Sequence, residues 1–146
     1  MPDFPSSVLF CCTSNALRSP MAEGLMKFLF GRHVFVQSVG LRRGALDGFM
    51  ISVMDEIGVD VSGHTVRTFD DLEDGSFDLI VSLSPEAQHH AVEMTRTMAS
   101  DVEFWNTFDP SLIEGSREVR FEAYRGVRDR LTERMKQRFE MPGALI

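Results

Sequence analysis

The chain has 146 residues, of which 43% are hydrophobic and 25% are charged, and its formal net charge at pH 7 is −7. This length favours one domain with a sizeable core, and the negative charge argues against nonspecific binding to nucleic acids or membranes. No stretch approaches ~20 uninterrupted apolar residues, and no basic segment precedes an apolar run at the N-terminus. We therefore expect a cytoplasmic protein with neither a membrane nor a nucleic-acid partner.

The first predicted strand, residues 8–12, leads into a loop of small residues and then into a helix. The strand is an apolar run of the length typical of a buried strand. Pro20 stands where a first helical residue is favoured, because its missing N–H would be unpaired there in any case. The apolar residues that follow recur at helical spacing and are Ala22, Leu25, Met26 and Leu29. A strand that leads through a loop into a helix N-terminus forms an anion site, since backbone N–H groups converge there.

Cys12 and Arg18 add reactive chemistry to this predicted anion site. The thiolate of cysteine is the nucleophilic form, and N–H donors and a helix N-terminus favour it. Arg18 offers a planar fork that matches two oxygens of a tetrahedral oxyanion, and the Ser19 hydroxyl can donate to the thiolate. The loop residues predicted to surround the oxyanion are Thr13, Ser14, Asn15, Ala16 and Leu17. The pattern predicts a nucleophile beneath a bound phosphate; a core thiol beside a surface arginine is the alternative.

The two cysteines of the chain, Cys11 and Cys12, are adjacent. Neighbouring residues on a strand point to opposite faces, so only one of them can face the loop. We expect Cys11 to be a core thiol behind the sheet, with a strained vicinal disulfide as the alternative. No second Cys/His pair stands at the spacing of metal ligands, so no metal site and no cofactor are predicted.

Three more strands and three more helices are predicted downstream. The strands cover residues 33–39, 77–83 and 102–105. One helix ends at Gly58, the next is capped by Ser84 and extends its apolar face to Met98, and the last covers residues 116–138. Alternating strands and helices predict an α/β fold in which helices cover both faces of a parallel sheet. Ligands are expected at the carboxyl ends of its strands.

Several charged residues are interpreted as structural or solvated. Arg42 and Arg43 are assigned to a solvated face, and His64 to a structural role. The last helix carries seven arginines interleaved with acidic residues, which indicates a solvated, salt-bridged face rather than a nucleic-acid site. The apolar stripe predicted for this helix is Tyr124, Val127, Leu131 and Met135.

The phosphate-loop pattern resembles a known family. Cys12, five residues and then Arg-Ser, with Asn15 three places after the cysteine and Pro-Met-Ala-Glu behind, is similar to the low-molecular-weight protein tyrosine phosphatases. It is equally similar to the arsenate reductases of the same fold. The resemblance covers residues 7–140. It implies a single domain over residues 1–146, with a loose tail at 141–146, built as a three-layer sandwich around four parallel strands in the order 2-1-3-4.

The resemblance also assigns roles to Ser38 and Asp109. Ser38-Val39-Gly40 resembles the family's Ser-Ala-Gly, in which the serine hydroxyl braces the phosphate loop through the loop asparagine, here Asn15. An ordinary turn hydroxyl is the alternative for Ser38. An Asp-Pro after the fourth strand carries the family's general acid, which implies that Asp109 protonates the leaving oxygen. Asp-Pro is also a common turn dipeptide.

Residues that separate the two branches of the family point in both directions. Leu17 stands where the phosphatases often carry a second cysteine, and Ser111 and Leu112 follow Asp-Pro in place of their tyrosines. Glu114-Gly115 and residues 124–129 are closer to the arsenate reductases. A thioredoxin-coupled reductase, however, needs two further cysteines to relay the disulfide, and no cysteine follows Cys12.

Our leading hypothesis is a phosphomonoester hydrolase of the protein tyrosine phosphatase type. Its substrate is a phosphoprotein or a small phosphate, and it acts through a Cys12 cysteinyl-phosphate, Arg18 and Asp109. The alternative is an arsenate reductase that uses glutathione or mycothiol with a glutaredoxin-like partner, and not the three-cysteine thioredoxin relay. A catalytically idle anion-binding module is the third hypothesis.

Overall fold

The computed structural model describes residues 4–73 and 76–139, in which strands and helices alternate. The strands are β1 (Ser7–Cys12), β2 (Phe35–Gly40), β3 (Leu79–Ser82) and β4 (Asp101–Phe104). The helices are α1 (Arg18–Phe30), α2 (Gly48–Asp55), α3 (Pro85–Met94) and α4 (Arg117–Arg138). Short 3-10 turns cover Phe69–Asp71 and Pro110–Leu112. Within the described ranges, no helix has both the length and the apolar character needed to span a membrane.

The four strands form one parallel sheet in the order β2-β1-β3-β4, which confirms the predicted topology. The carboxyl ends of parallel strands lie at one edge of a sheet. The loops after Cys12 at the end of β1 and after Phe104 at the end of β4 therefore leave from the same edge. This edge is where the fold positions the predicted site.

The side chains of β1 alternate between two apolar layers. Val8, Phe10 and Cys12 pack with α1, α2 and α4, whereas Leu9 and Cys11 pack with α3. Helices therefore cover both faces of the sheet, three on one face and one on the other. Both cysteines are free thiols, and because they lie on opposite faces, Cys11 is the core thiol that the alternation predicts.

The predicted strand boundaries differ from the observed ones by one or two residues. β2 begins at Phe35 rather than at residue 33, β3 is confined to Leu79–Ser82, and β4 is shifted one residue towards the N-terminus. Pairing with β1 explains the first two differences, because Phe35 lies opposite Ser7, the first residue of β1, and Leu79 lies opposite the next residue. Strand ends are thus set by neighbouring strands, which local propensity does not report.

The observed ends of α1 and α3 also differ from the predicted ones. α1 begins at Arg18, two residues before the predicted start at Pro20. Pro20 remains favourable there, since the first helical hydrogen bond is donated by the next residue, from Met21 N–H to the Leu17 carbonyl. α3 ends at Met94, so Met98 lies beyond the helix on whose apolar face it was predicted.

α4 matches its prediction closely, with one exception. Its predicted stripe is buried, and Ser116 caps its N-terminus by accepting a hydrogen bond from Val119 N–H at 3.2 Å. The prediction of a uniformly solvated arginine face was wrong for Arg128, which is buried and donates to the Val53 carbonyl and to Glu56, both at 2.8 Å. A helical period brings this residue next to the core stripe. The predicted loose tail, residues 141–146, lies outside the described residues.

Candidate active site

The loop between β1 and α1 presents an uncapped helix N-terminus. Leu17 occupies the N-cap position of α1 and has no side-chain oxygen to accept from the first-turn N–H groups. Such groups, together with the helix dipole, bind anions. Asn15 adopts a left-handed backbone conformation with φ 52°, which asparagine tolerates better than most residues. The geometry provides the anion site that the sequence predicts.

Cys12 is the last residue of β1, directly before this loop, and its sulfur lies beside a hydroxyl group. Its side chain is only 2% exposed, and its Sγ lies 2.9 Å from Ser19 Oγ. Ser19 Oγ accepts a hydrogen bond from Asn15 Nδ2 at 2.8 Å, and its own hydrogen can be donated to Cys12 Sγ or to the Val39 carbonyl, which lies at 3.3 Å. Ser19 is therefore placed to donate to a thiolate at Cys12.

Cys11 occupies a different environment on the other face of the sheet. Its thiol is fully buried and donates to Ser82 Oγ at 3.5 Å and to the Val81 carbonyl at 3.7 Å. Burial raises the pKa of Cys11 to about 12. Cys11 consequently remains a neutral thiol at physiological pH and does not face the anion site.

Asn15 fixes the loop through four hydrogen bonds in a fully buried position. Its Nδ2 donates to Ser19 Oγ and, at 3.0 Å, to Ser38 Oγ. Its Oδ1 accepts from Arg67 N–H at 2.8 Å and contacts His64 Nε2 at 2.9 Å. The amide thus uses its full capacity for hydrogen bonds. The contact expected between Ser38 and Asn15 is present.

Gly40, which follows Ser38-Val39, is required by the close packing of the loop. A Cβ at this position would lie 2.6 Å from the Asn15 backbone nitrogen and 2.7 Å from the Ser14 carbonyl carbon. Both neighbours are backbone atoms, so they cannot move aside as a flexible side chain would. Glycine at the end of β2 therefore lets the phosphate loop rest directly on the sheet.

Arg18 joins the phosphate loop to the loop that follows β4. Its Nη1 donates to the Thr107 carbonyl at 3.0 Å, across 89 residues of sequence. Thr107 N–H in turn donates to the Leu83 carbonyl at 2.9 Å, so the loop after β4 is also bound to the segment after β3. The side chain of Arg18 is half-buried between these elements.

Asp109 lies two residues beyond Thr107 in the same loop. One carboxylate oxygen, Oδ1, accepts from the Ser111 N–H at 3.0 Å and from the Ser111 hydroxyl at 2.7 Å. The other oxygen, Oδ2, makes no hydrogen bond to the described residues. These contacts fix the carboxylate while one oxygen stays available for proton transfer, which requires a positioned acid within reach of the reacting group.

Comparison with known proteins agrees with this geometry. A family model described as low molecular weight phosphotyrosine protein phosphatase matches residues 7–141. The chain belongs to this family of cysteine-dependent enzymes.

Named relatives are arsenate reductases. The arsenate reductase of Halalkalibacterium halodurans is 34% identical over 131 residues, which cover 88% of this chain and 91% of the relative. The glutaredoxin arsenate reductase of a Synechocystis strain is 31% identical over 130 residues, covering 88% and 92%. A solved arsenate reductase in the phosphate-binding state superposes with a TM-score of 0.69 at 28% identity, covering 90% of this chain and 94% of that one.

Two residues that the sequence analysis did not connect with the site, Glu23 and His64, contact its hydrogen-bond network in this low-molecular-weight phosphatase family member. Glu23, 6% exposed, accepts from Ser38 Oγ at 2.6 Å and pairs with Lys27. His64 Nδ1 lies 3.6 Å from Glu23 Oε1, while its Nε2 contacts Asn15. Burial lowers the pKa of His64, although Glu23 opposes this shift. His64 thus contacts the phosphate loop through Asn15, a contact that its predicted structural role did not include.

The sequence contains a feature that could have indicated the buried contacts of Glu23. Glu23 lies between the apolar residues Ala22 and Met26 on the buried side of α1. A carboxylate in such a position is almost never left unpaired, so it indicates buried polar partners. His64 carries no comparable signal, because it lies 49 residues from Asn15 in a loop.

Asp47, at the start of α2, and Tyr124, on α4, are connected to the phosphate loop. Asp47 N–H donates to the Ala16 carbonyl at 2.9 Å, and the Tyr124 hydroxyl donates to Asp47 Oδ2 at 2.8 Å. Burial, the hydrogen bond to Asp47 and the nearby charge of Asp109 raise the pKa of Tyr124 above its ordinary value. Tyr124 thus stays a neutral phenol that donates to Asp47.

Proposed function

We propose that this protein is a cytoplasmic phosphomonoester hydrolase of the protein tyrosine phosphatase type, with phosphoproteins or small phosphate esters as substrates. The observation that carries the proposal is the hydrogen bond from Arg18 to the Thr107 carbonyl. It links Arg18, at the start of α1, to the loop that holds Asp109, which supports one site for the nucleophile, the oxyanion-binding groups and the acid.

In the first proposed step, the Cys12 thiolate attacks phosphorus. An S–P bond forms while the P–O ester bond breaks, and the protonated Asp109 carboxyl gives its proton to the leaving oxygen. Arg18 and the first-turn N–H groups of α1 bind the equatorial oxygens. Because phosphoryl transfer passes through a loose transition state, positioning and electrostatic stabilisation supply most of the rate.

In the second proposed step, water attacks the cysteinyl-phosphate. The Asp109 carboxylate takes the proton of the water, an O–P bond forms, and the S–P bond breaks. Inorganic phosphate leaves, and Cys12 returns as a thiolate that the Ser19 hydroxyl is placed to stabilise. One carboxyl group serves as acid and then as base, as microscopic reversibility allows.

The general-acid role of Asp109 is tested by the leaving group. We expect Asp109→Asn to slow hydrolysis of phenyl phosphate and alkyl phosphates by about 10²–10⁴-fold. p-Nitrophenyl phosphate should lose less activity, because p-nitrophenolate departs with little protonation. The measurement is kcat/KM over a series of leaving groups for wild type and variant.

A matched control is Asp70→Asn, which makes the same change at an exposed carboxylate in the 3-10 turn between α2 and β3. It should leave the whole series unchanged. An equal loss for all leaving groups in Asp109→Asn would assign Asp109 a structural role in its turn.

Arsenate reduction with an external thiol is the second candidate function, because the named relatives are arsenate reductases and one is a glutaredoxin arsenate reductase. Cys12 would displace water from arsenate and form an S–As bond. An external thiolate such as glutathione would then attack the Cys12 sulfur, and the electron pair of the S–As bond would pass to arsenic. Arsenite would leave, and a glutaredoxin-like partner would reduce the mixed disulfide.

The choice of electron donor tests this second function. Cys11, the one other cysteine, lies on the opposite face of the sheet, so it is not placed to resolve an oxidised Cys12. We therefore expect thioredoxin alone to support no arsenite formation, and any turnover to require glutathione with glutaredoxin. Arsenite formation is measured with each donor in turn.

Cys11→Ser serves as the control in the same assay. Robust turnover with thioredoxin as sole donor, lost in Cys11→Ser, would show that Cys11 resolves the disulfide. That outcome would place reduction ahead of hydrolysis as the function.

A further inference from the structure

Where α2 packs against α4, the aromatic rings of Phe49 and Phe121 are covered by arginine side chains. Phe49, two residues after Asp47, packs edge-on against Phe121 with 4.7 Å between ring centroids. Arg120 Cζ lies 4.4 Å from the centroid of Phe49, and Arg117 Cζ lies 5.5 Å from Phe49 and 5.0 Å from Phe121. Such cation–π contacts hold guanidinium groups in place while leaving their edges open to other partners.

A cleft of about 450 Å³ opens beside these rings. Its lining residues, which we call the α2–α4 cleft, are Asp47, Gly48, Phe49, Ser52, Arg117 and Phe121. A Cβ at Gly48 would meet no atom within 4 Å, so the floor of the cleft near the start of α2 is open.

The α2–α4 cleft adjoins the phosphate loop. Asp47 N–H is bonded to the Ala16 carbonyl, and the Phe49 ring lies 5.4 Å from the ring of Tyr124. The Tyr124 hydroxyl in turn donates to Asp47 Oδ2 at 2.8 Å. Residues that flank a phosphate bound in the loop are therefore within reach of this cleft.

Arg117 in the cleft lining and Arg120 over the Phe49 ring bring two guanidinium groups to this cleft, in a protein whose net charge is −7. Arg117 and Arg120 form no ion pair with any carboxylate in residues 4–73 and 76–139. The Asp47 carboxylate, which also lines the cleft, accepts hydrogen bonds from the Tyr124 hydroxyl and from Met50 N–H. Acidic residues nearby are held by Arg125, which pairs with Glu56, Glu118 and Glu122.

We propose that the α2–α4 cleft binds acidic residues that flank the phosphorylated side chain of a phosphopeptide substrate, and that Arg117 and Arg120 select for them. This inference rests on the proposed phosphatase function. Guanidinium groups bind carboxylates through paired N–H donors. Because both arginines are solvent-accessible, the preference for acidic peptides is modest, about 5–10-fold in Kd for the two together, and weakens with salt.

The test measures binding separately from hydrolysis. Fluorescein-labelled phosphotyrosine peptides with flanking Glu and Asp, or with Gln and Asn in the same positions, are titrated with Cys12→Ser protein at low salt, and fluorescence anisotropy gives each Kd. We expect the acidic peptide to bind about 5–10-fold more tightly. Adding Arg117→Gln and Arg120→Gln should bring the ratio of the two Kd values close to one. Arg117→Gln alone should lower this ratio in part, because Arg117 is exposed.

A matched control removes the same two charges at the far edge of the sheet. Arg32 follows α1 and Arg96 follows α3, and both helices start at the edge of the site and end at the opposite edge. Arg32→Gln with Arg96→Gln should therefore keep the preference for acidic peptides. A loss as large as that of the cleft variant would show a general charge effect and overturn the inference.

Two further outcomes also overturn it: equal Kd values for the two peptides with Cys12→Ser protein, or no binding of either peptide. The proposed function is followed in parallel by p-nitrophenyl phosphate hydrolysis with wild-type protein. Absence of hydrolysis together with the expected Kd ratio would overturn the phosphatase proposal and leave the acidic-peptide site supported.

Discussion

We expect Cys12→Ser to lower phosphate release from p-nitrophenyl phosphate by roughly 10⁴–10⁶-fold, the loss seen when a covalent nucleophile is removed. A serine hydroxyl is not ionised at physiological pH and would need a base to attack phosphorus. The uncapped first turn of α1 and the Arg18 side chain are unchanged by this substitution. Binding of inorganic phosphate, measured by calorimetry, should therefore persist while hydrolysis is lost.

Cys11→Ser is the matched control, because it makes the same change one residue away on the opposite face of the sheet. It should retain most of the hydrolysis but lower the free energy of unfolding by about 1–3 kcal/mol, since a hydroxyl replaces a thiol in an apolar layer. Ser82 Oγ, 3.5 Å from the Cys11 sulfur, would partner that hydroxyl and keep the loss small. Near wild-type hydrolysis by Cys12→Ser would contradict the nucleophile assignment.

The parts of the site that the sequence could predict are local ones. Cys12, Arg18 and Ser19 lie within eight consecutive residues whose strand, loop and helix are fixed by short-range patterns. Their relation to one another follows once β1 ends and α1 begins. The left-handed backbone of Asn15 is likewise a local preference of that residue type.

Contacts between distant segments could not be derived from those patterns. The Arg18–Thr107 and His64–Asn15 hydrogen bonds span 89 and 49 residues. Neither contact was predicted, since the family resemblance assigned a role to Asp109 but named no partner for Thr107, and His64 was assigned only a structural role. Such contacts depend on strand order and loop paths, which periodicity in a single sequence does not contain.

The clustering of Arg117, Arg120 and Phe49 escaped the sequence analysis for a related reason. The charge pattern of α4 indicated a solvated face, because each arginine has acidic neighbours along the helix. In the fold, Arg125 binds three of the acidic groups near the α2–α4 cleft, and α2 supplies the aromatic ring over which the other two arginines lie. Which charges remain unpaired is thus decided by the packing of α2 against α4.

Arg18→Lys should be almost as damaging as Arg18→Ala, with a loss in kcat/KM of about 10³–10⁵-fold, the range found for an arginine that stabilises a phosphoryl-transfer transition state. The Arg18 guanidinium already donates one N–H, from Nη1, to the Thr107 carbonyl. Its planar fork leaves further donors for two oxygens of the phosphoryl group. A lysine ammonium is a point charge on a flexible stem and cannot hold both partners in fixed geometry.

The test compares kcat/KM for p-nitrophenyl phosphate in wild type, Arg18→Lys, Arg18→Ala and the control Arg43→Lys. Arg43, like Arg18, donates to a backbone carbonyl, but it lies on an exposed surface and also pairs with the Asp71 carboxylate, so its replacement should leave hydrolysis unchanged. If lysine at position 18 restored most of kcat/KM relative to alanine, Arg18 would contribute only its charge. The bond to Thr107 would then serve to hold the Asp109 loop, and the fork geometry would have no part in stabilising the transition state.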